Sequence, residues 1–207
     1  AGTLCDIQQF EGMFLTIYET STLYFPPMPH FVELPKIELF TLNGFPFTRW
    51  PDGYQTLVYL PQADDTSLAT ALDLVGMITQ RNGFPLFGTQ VSYAEPKAWD
   101  GEILVVGKAG SVPKHYMEAA PLKLLDTSSV PYPTVRSWNA EASVAFSKQK
   151  SELGESVGVV MEFESPYKQG RSVVVLTSQS NRGLETLGDA ILDSSVQAGI
   201  TGDLAFI

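Results

Sequence analysis

The chain has 207 residues, room for one well-packed domain and part of a second. It carries 23 acidic against 13 basic residues, a net charge of −10, which excludes the phosphate-neutralising chemistry of a nucleic-acid binder and weighs against anionic lipid surfaces. Only 17% of residues are charged, against 14 Pro and 17 Gly, a balance that suits strands and loops more than long surface helices.

Cys5 is the only cysteine, so no disulfide can form within the chain and no cysteine-rich metal cluster can be built. His30 and His115 are far apart in sequence, and a metal site is not expected. No apolar run approaches the ~20 residues of a spanning helix. The start at Ala1-Gly2-Thr3 reads as a point inside a longer chain or a processed product.

Residues 1–51 are expected to be β-rich. Met13 to Phe25 is dense in Phe, Leu, Ile, Tyr and Thr, and is stopped by Pro26, Pro27 and Pro29. Phe31 to Leu42 is read as a second extended stretch, bent at Pro35. Two or three strands cannot stand alone as a sandwich, so this part is the tail of a larger β-domain or packs on the residues after it. The run Asn43 to Gly53 is rich in Pro and Gly yet strongly aromatic. Pro46 and Pro51 bias Phe45 and Trp50 away from helical geometry, and Asp52-Gly53 reads as a turn. Phe45 and Phe47 are expected to be buried at this junction.

From residue 52 the pattern changes to α/β. Gln55 to Leu60 is a short strand stopped by Pro61. Asp64 and Asp65 offer N-cap chemistry to a helix whose inner face is read as Leu68, Leu72, Val75 and Ile78, with Asn82-Gly83 as the stop. Gly88 to Tyr93 and Glu102 to Val106 are further strands, giving a βαβ unit with a right-handed crossover. Lys114 to Ala120 is a helix candidate, Val130 to Pro133 a break and Ala140 to Gln149 one or two helical turns. Val157 to Phe163 and Ser172 to Thr177 form a hairpin, since the linker Pro166 to Gly170 is too short for a parallel crossover. Asn181 is placed as the cap of a helix with Leu184, Leu187, Ile191 and Leu192 on one stripe. Asp203 to Ile207 is the last strand.

Chemical motifs are sparse. Gly154-Glu155-Ser156-Val157-Gly158 matches the nucleophile elbow of serine hydrolases literally. A strand follows Ser156 where a helix is needed, and no histidine comes after it, so a serine esterase is not expected. The loop Pro61 to Thr66 stands where a nucleotide phosphate would sit at a helix N-terminus, but it lacks glycine and its two carboxylates repel phosphate. Gly107 to Ser111 lacks phosphate-loop spacing and reads as a plain turn. Glu162 and Glu164 alternate with Phe163 and are read as solvated, outward-facing carboxylates. Trp50, Trp99 and Trp138 sit in loop-like segments. Each either stacks on a pyranose ring or plugs a gap beside the core. Trp50 is the candidate ligand contact; no catalytic, cofactor or metal residue is assigned.

Several segments together resemble one family. Gly44 to Arg49, the strand Leu57 to Leu60 with Pro61, Ile103 to Gly107, Ser165-Pro166-Tyr167 with Gly170-Arg171, and Gly202 to Ala205 are similar, in order and spacing, to the periplasmic regulatory subunit of bacterial cellulose synthase. Thr20 to Pro26 and Val32 to Pro35 look like the end of that family's second carbohydrate-binding-like β-sandwich. The resemblance implies a flavodoxin-like α/β domain with a mixed sheet and no cofactor over residues 52–207, preceded over 1–51 by the last strands of a β-sandwich domain and a connecting segment. It implies a non-catalytic subunit, periplasmic and anchored to the bacterial inner membrane by a C-terminal helix beyond Ile207. Its partners would be the catalytic cellulose synthase subunit and the secreted β-1,4-glucan, cellulose, which Trp50 would contact. Such subunits are often labelled cyclic di-GMP-binding, although no Arg-rich nucleotide motif is present here. The other readings of the same chain are a flavin- or nucleotide-binding α/β enzyme and a stand-alone sugar-binding module.

Overall fold

The computed structural model describes residues 16–22, 24, 32–122 and 157–207. The chain divides into two compact units, Ala1–Val32 and Glu33–Ile207. In the first, the described residues form an exposed turn in which Ser21 N–H donates to the Tyr18 carbonyl and Tyr18 N–H to Ser21 Oγ. Most of the expected strand Met13–Phe25 lies outside the described residues.

The second unit is α/β. In chain order it contains α1 (Ile37–Asn43), β1 (Thr56–Tyr59), α2 (Asp65–Asn82), β2 (Gln90–Ser92), β3 (Glu102–Lys108), a 3₁₀ turn (Ala109–Ser111), α3 (Lys114–Ala119), β4 (Gly158–Glu164), β5 (Ser172–Ser178), α4 (Asn181–Leu192), α5 (Ser194–Gln197) and β6 (Leu204–Phe206). One six-stranded sheet has the order β2-β1-β3-β5-β4-β6. The β2-β1-β3-β5 pairs are parallel, and β4 runs antiparallel to both β5 and β6. The mixed sheet therefore comes from the β4–β5 hairpin, whose seven-residue linker cannot make a parallel crossover.

Period-2 alternation sorts the strands' side chains onto two faces. Val58, Leu60, Leu104, Val106, Val160, Val174 and Leu176 pack under α1, α2 and α4. Leu57, Tyr59, Ile103, Val105, Met161, Val173 and Val175 face Val112, Tyr116, Ala120 and Leu122 around α3. β3 and β5 are covered on both faces, and so read in the sequence as continuous apolar runs.

Three readings of the sequence need correction. Ile37–Asn43, expected within an extended stretch, is a helix: Ile37, Phe40 and Thr41 recur at the i, i+3, i+4 spacing and are the buried residues of α1. Pro35 is thus a residue just before a helix rather than a bend in a strand. The contacts also place residues 33–51 in the same compact unit as the sheet. In α2 three of the four expected inner residues do face the core, Ile78 buried and Leu68 and Val75 partly so, but Leu72 is exposed and the buried face is Ser67, Thr70, Ala71, Leu74, Met77 and Ile78. Small residues turn inward because α4 lies close against them; a methyl group on Gly188 would stand 3.1 Å from Thr70. The cap of α4 is Ser180, whose Oγ accepts from Gly183 N–H at 3.1 Å, one residue before the expected Asn181.

The start of α1 is bonded to the segment that leads into β6. Ile37 N–H donates to the Gly202 carbonyl at 2.8 Å, and Gly202 N–H donates to Glu38 Oε2 at 3.0 Å. Among the described residues no helix is long and apolar enough to cross a membrane.

Candidate functional site

The Asn43–Gly53 run is built around one buried ring and one exposed ring. Gly44 ends α1 in left-handed geometry, φ 78°, and a side chain there would run into Ile78. Phe47 then turns into the core and meets Phe40 edge to face, with ring centroids 5.7 Å apart. Phe45, expected to be buried with it, is only half-buried. Trp50 goes the other way: it is 49% exposed and packs edge to face on Tyr54 at 6.3 Å.

Two further exposed rings come from the turn after α2. Asn82 Nδ2 donates to the Pro51 carbonyl at 2.6 Å, and Gly88 N–H donates to the Asp52 carbonyl at 2.7 Å. These bonds hold the 83–89 turn against the 50–54 loop. Phe84 and Phe87 lie on that turn, and Phe87 is 83% exposed. Gly88 is glycine for room, since a methyl group would lie 3.0 Å from the Tyr54 backbone. The result is an aromatic surface of Trp50, Tyr54, Phe84 and Phe87 beside the edge strand β2, where Val91 is also exposed.

Sequence reasoning finds Trp50 but not its companions, although Phe84-Pro85-Leu86-Phe87 repeats the Phe-Pro-x pattern of residues 45–47. The other tryptophans differ. Trp99 is a plug: half-buried, it packs on the α3-side core and its Nε1–H donates to the Glu102 carbonyl at 3.2 Å. Trp138 lies outside the described residues.

A charged node lies next to this surface. Glu102, 2% exposed at the head of β3, receives Arg49 Nη2 and Arg171 Nη1, each 3.2 Å from Oε1, while Ser172 N–H donates to Oε2 at 2.6 Å. Arg171 Nη2 also donates to Gln55 Oε1 at 2.8 Å. Gln55 holds the left-handed φ of 63°, and its carbonyl accepts Glu102 N–H at 2.9 Å. Arg49 thus ties the aromatic segment to the first residue of a central strand.

Glu162 requires a further correction. It is not solvated but fully buried, at 0% exposure, while Glu164 is exposed. β4 is an interior strand flanked by β5 and β6, and α1 lies over its inner face, so the strand has no solvent side at this point. Its Oε2 accepts Lys36 N–H at 2.7 Å. Burial pushes its carboxyl up to about 7, against the opposing pull of the Lys36 N–H and Ser172.

On the other face, Glu95, His115 and Tyr167 form a chain. His115 Nδ1 lies 3.0 Å from Glu95 Oε1 and Nε2 lies 2.8 Å from the Tyr167 hydroxyl. The order acid–imidazole–hydroxyl is that of a nucleophile relay. Here burial raises the Tyr167 phenol, and raises the adjacent Tyr116 phenol much further. Both hydroxyls are held protonated, the reverse of an activated nucleophile, and the cluster works as a clamp between α3 and the hairpin loop. Ser156 lies outside the described residues.

At the start of α2, Asp64 fills the phosphate position itself: Oδ1 accepts Ser67 N–H at 3.0 Å and Oδ2 accepts Ser67 Oγ–H at 2.9 Å. Residues 109–111 form a plain 3₁₀ turn closed by Ser111 Oγ–H on the Lys108 carbonyl at 2.7 Å.

Comparison with known proteins gives a family. The model described as "Cellulose synthase BcsB, second FD domain" matches residues 30–176. A protein named cyclic di-GMP-binding protein from Escherichia coli K12 is 28% identical over 206 residues, covering 93% of this chain and 26% of its own length. A protein of the same name from Pseudomonas fluorescens is 27% identical over 210 residues, covering 90% of this chain and 27% of its own. Cellulose synthase 1 of Komagataeibacter xylinus is 28% identical over 206 residues, covering 89% of this chain and 13% of its own length. The chain therefore spans about a quarter or less of the relatives it matches.

Proposed function

The chain belongs to the cellulose synthase BcsB family, through the second FD domain, and on that premise we propose that it is a non-catalytic part of an accessory subunit that supports a membrane-embedded cellulose synthase. The family match across residues 30–176 carries this reading. In it the subunit is periplasmic and anchored to the inner membrane, and its partner is the catalytic synthase subunit. Residues 52–207 are a flavodoxin-like domain without a cofactor, which the parallel β2-β1-β3 order supports. Residues 1–32 close a preceding β-sandwich domain, and residues 33–51 belong with the sheet through α1 and Phe47. The names of the relatives refer to cyclic di-GMP; the self-capped Asp64 at α2 speaks for a scaffold rather than a nucleotide site here. Stoichiometric flavin or nucleotide bound to the purified chain would instead make it a cofactor-binding α/β enzyme.

The aromatic surface supports a finer role. Trp50 and Phe87 offer rigid apolar area to the C–H faces of a β-1,4-glucan. Trp50→Ala with Phe87→Ala, placed in the full-length subunit and assayed with the synthase in membrane vesicles, is expected to lower glucan output while leaving subunit assembly intact. Unchanged output would remove the glucan role, and loss of synthase association would assign the surface to protein docking. A stand-alone sugar-binding module is the second reading, favoured by the exposure of Trp50. It requires the isolated chain to bind cello-oligosaccharides and to lose them on Trp50→Ala.

A further inference from the structure

Glu162 stands under the beginning of α1 with its two oxygens unequally served. Oε2 takes the Lys36 N–H, while Oε1 has no hydrogen-bond partner among the described residues. Lys36 occupies the N-cap position of α1, and no side chain caps that end. The Glu162 contact, 126 positions away in sequence, therefore stands in for a cap. Val32, the last residue of the preceding compact unit, is only four positions before Lys36.

The charged surroundings are one-sided. From α1, Glu38 faces the site with Oε2 held by Gly202 N–H, and the rest of Lys36 is exposed. From β3, Glu102 adds negative charge, and both its arginines, Arg49 and Arg171, are engaged with it. β5 contributes Ser172, and the approach to β6 contributes the Asp203 carbonyl, which accepts Glu162 N–H at 3.0 Å. α4 meets β4 at its far end, with Leu187 against Gly158, and keeps Arg182, Glu185 and Asp189 on its exposed side. No ion pair to Glu162 forms among the described residues.

We propose that Glu162 is a pH-operated latch: with its carboxyl protonated it keeps the first turn of α1 seated on the sheet, and on ionisation it loosens residues 33–43. Ionisation strengthens the Lys36 N–H bond, but the lost hydration of a buried carboxylate without a cation outweighs it, and such a group gains most by reaching water. The thinnest cover over it is α1, a seven-residue helix whose start is held by the Glu162 contact and by Ile37 N–H on the Gly202 carbonyl rather than by a cap of its own. The other neighbours, β5 and β6, are held by backbone ladders and yield less easily. Because burial places the ionisation near neutrality, the latch works across a range where ordinary carboxylates are already fully charged.

Amide hydrogen exchange of the whole chain tests this at pH 6 and pH 8, with Glu162→Gln as the reference at each pH so that intrinsic exchange cancels. Relative to Glu162→Gln, opening at Lys36–Phe40 in the wild type is expected to rise about tenfold from pH 6 to pH 8, while amides of β3 and β5 stay unchanged. Glu164→Gln, on the exposed neighbour, is expected to behave as wild type. Equal protection of α1 in wild type and Glu162→Gln at both pH values would overturn the latch. If Glu162→Gln fails to fold, ¹³C titration of the wild-type Glu162 carboxyl decides. Ionisation near neutrality together with α1 amide shifts supports the latch, and ionisation in the ordinary carboxylate range overturns it.

Discussion

Glu102 and Glu162 project from the same face of the sheet, on the two strands that flank β5, and only Glu102 is answered by arginines. Each is almost wholly buried. One is a balanced charge and the other an unbalanced acid, and this difference sets two of the expected behaviours of the chain.

Stability should fall as pH rises through the neutral range. The Glu162 carboxyl is raised from 4.5 to about 7 in the folded chain, so between those values the folded state keeps a proton that the unfolded state has lost. The stabilising contribution is complete below about pH 4.5 and is lost as pH passes 7, amounting to roughly 3 kcal/mol at most. Urea denaturation at pH 5 and pH 8 measures it. Glu162→Gln should flatten the difference, and an identical pH slope in that variant would remove Glu162 as the cause.

Glu102→Gln is expected to cost about 3 kcal/mol, because Arg171 and Arg49 lose their shared counter-charge beside a buried strand. Replacing Arg171 by Met in the same chain should give back part of the loss. A purely additive double-mutant cycle in chemical denaturation would show that the node is not coupled.

Phe47→Ala and Trp50→Ala separate structure from surface. The first removes a ring buried against Phe40 and should cost about 3–5 kcal/mol. The second removes a half-exposed ring and should cost under about 1 kcal/mol. Thermal melts of the two variants make the comparison; comparable losses would mean that Trp50 is a core residue.

Two glycines should respond in opposite directions. Gly44→Ala forces a side chain onto a φ of 78° and against Ile78, and should destabilise by roughly 2 kcal/mol. Gly76→Ala, inside α2 with nothing within 4 Å of the new methyl, should stabilise by about 0.5–1 kcal/mol. Denaturation midpoints of both variants check this, and destabilisation by Gly76→Ala would refute it.

The Tyr116 hydroxyl is buried beside Tyr167 and makes no well-formed hydrogen bond among the described residues, so Tyr116→Phe should be close to neutral, whereas Tyr167→Phe loses the His115 contact and should cost about 1 kcal/mol. Melts at one pH separate the two; a larger loss for Tyr116→Phe would reveal a hydrogen bond at that hydroxyl.

Legibility in the sequence depends on how local each signal is. β3, β5 and the hairpin are visible because unbroken apolar runs and a short linker are properties of neighbouring residues. The ends of α2 are visible because Asp64 and Gly83 act within one turn. The inner face of α2 is only partly legible from periodicity, which places Leu68, Val75 and Ile78, because Ser67, Thr70 and Ala71 are inward only through the approach of α4, more than a hundred positions later. α1 is short, and its apolar residues suit a strand equally well until the sheet beneath selects the 3.6-residue period. Glu162 reads as solvated because its cover, α1 and β6, comes from opposite ends of the described unit. At the surface, Trp50 is legible as an aromatic in a proline-bound loop, but Phe84 and Phe87 join it only through the fold of the 83–89 turn.

The reciprocal bonds between Ile37, Glu38 and Gly202 have a mechanical consequence. They pin the start of α1 to the residue just ahead of β6, at the Glu162 end of β4, whereas Ile207 pairs with Gly158 at the other end of that strand. A pull between Glu33 and Ile207 would run along β6, loading those two hydrogen bonds and the short β4–β6 ladder first and in shear. The central β1-β3-β5 ladders would carry no tension until that seam had parted, so under force the unit should yield in two steps.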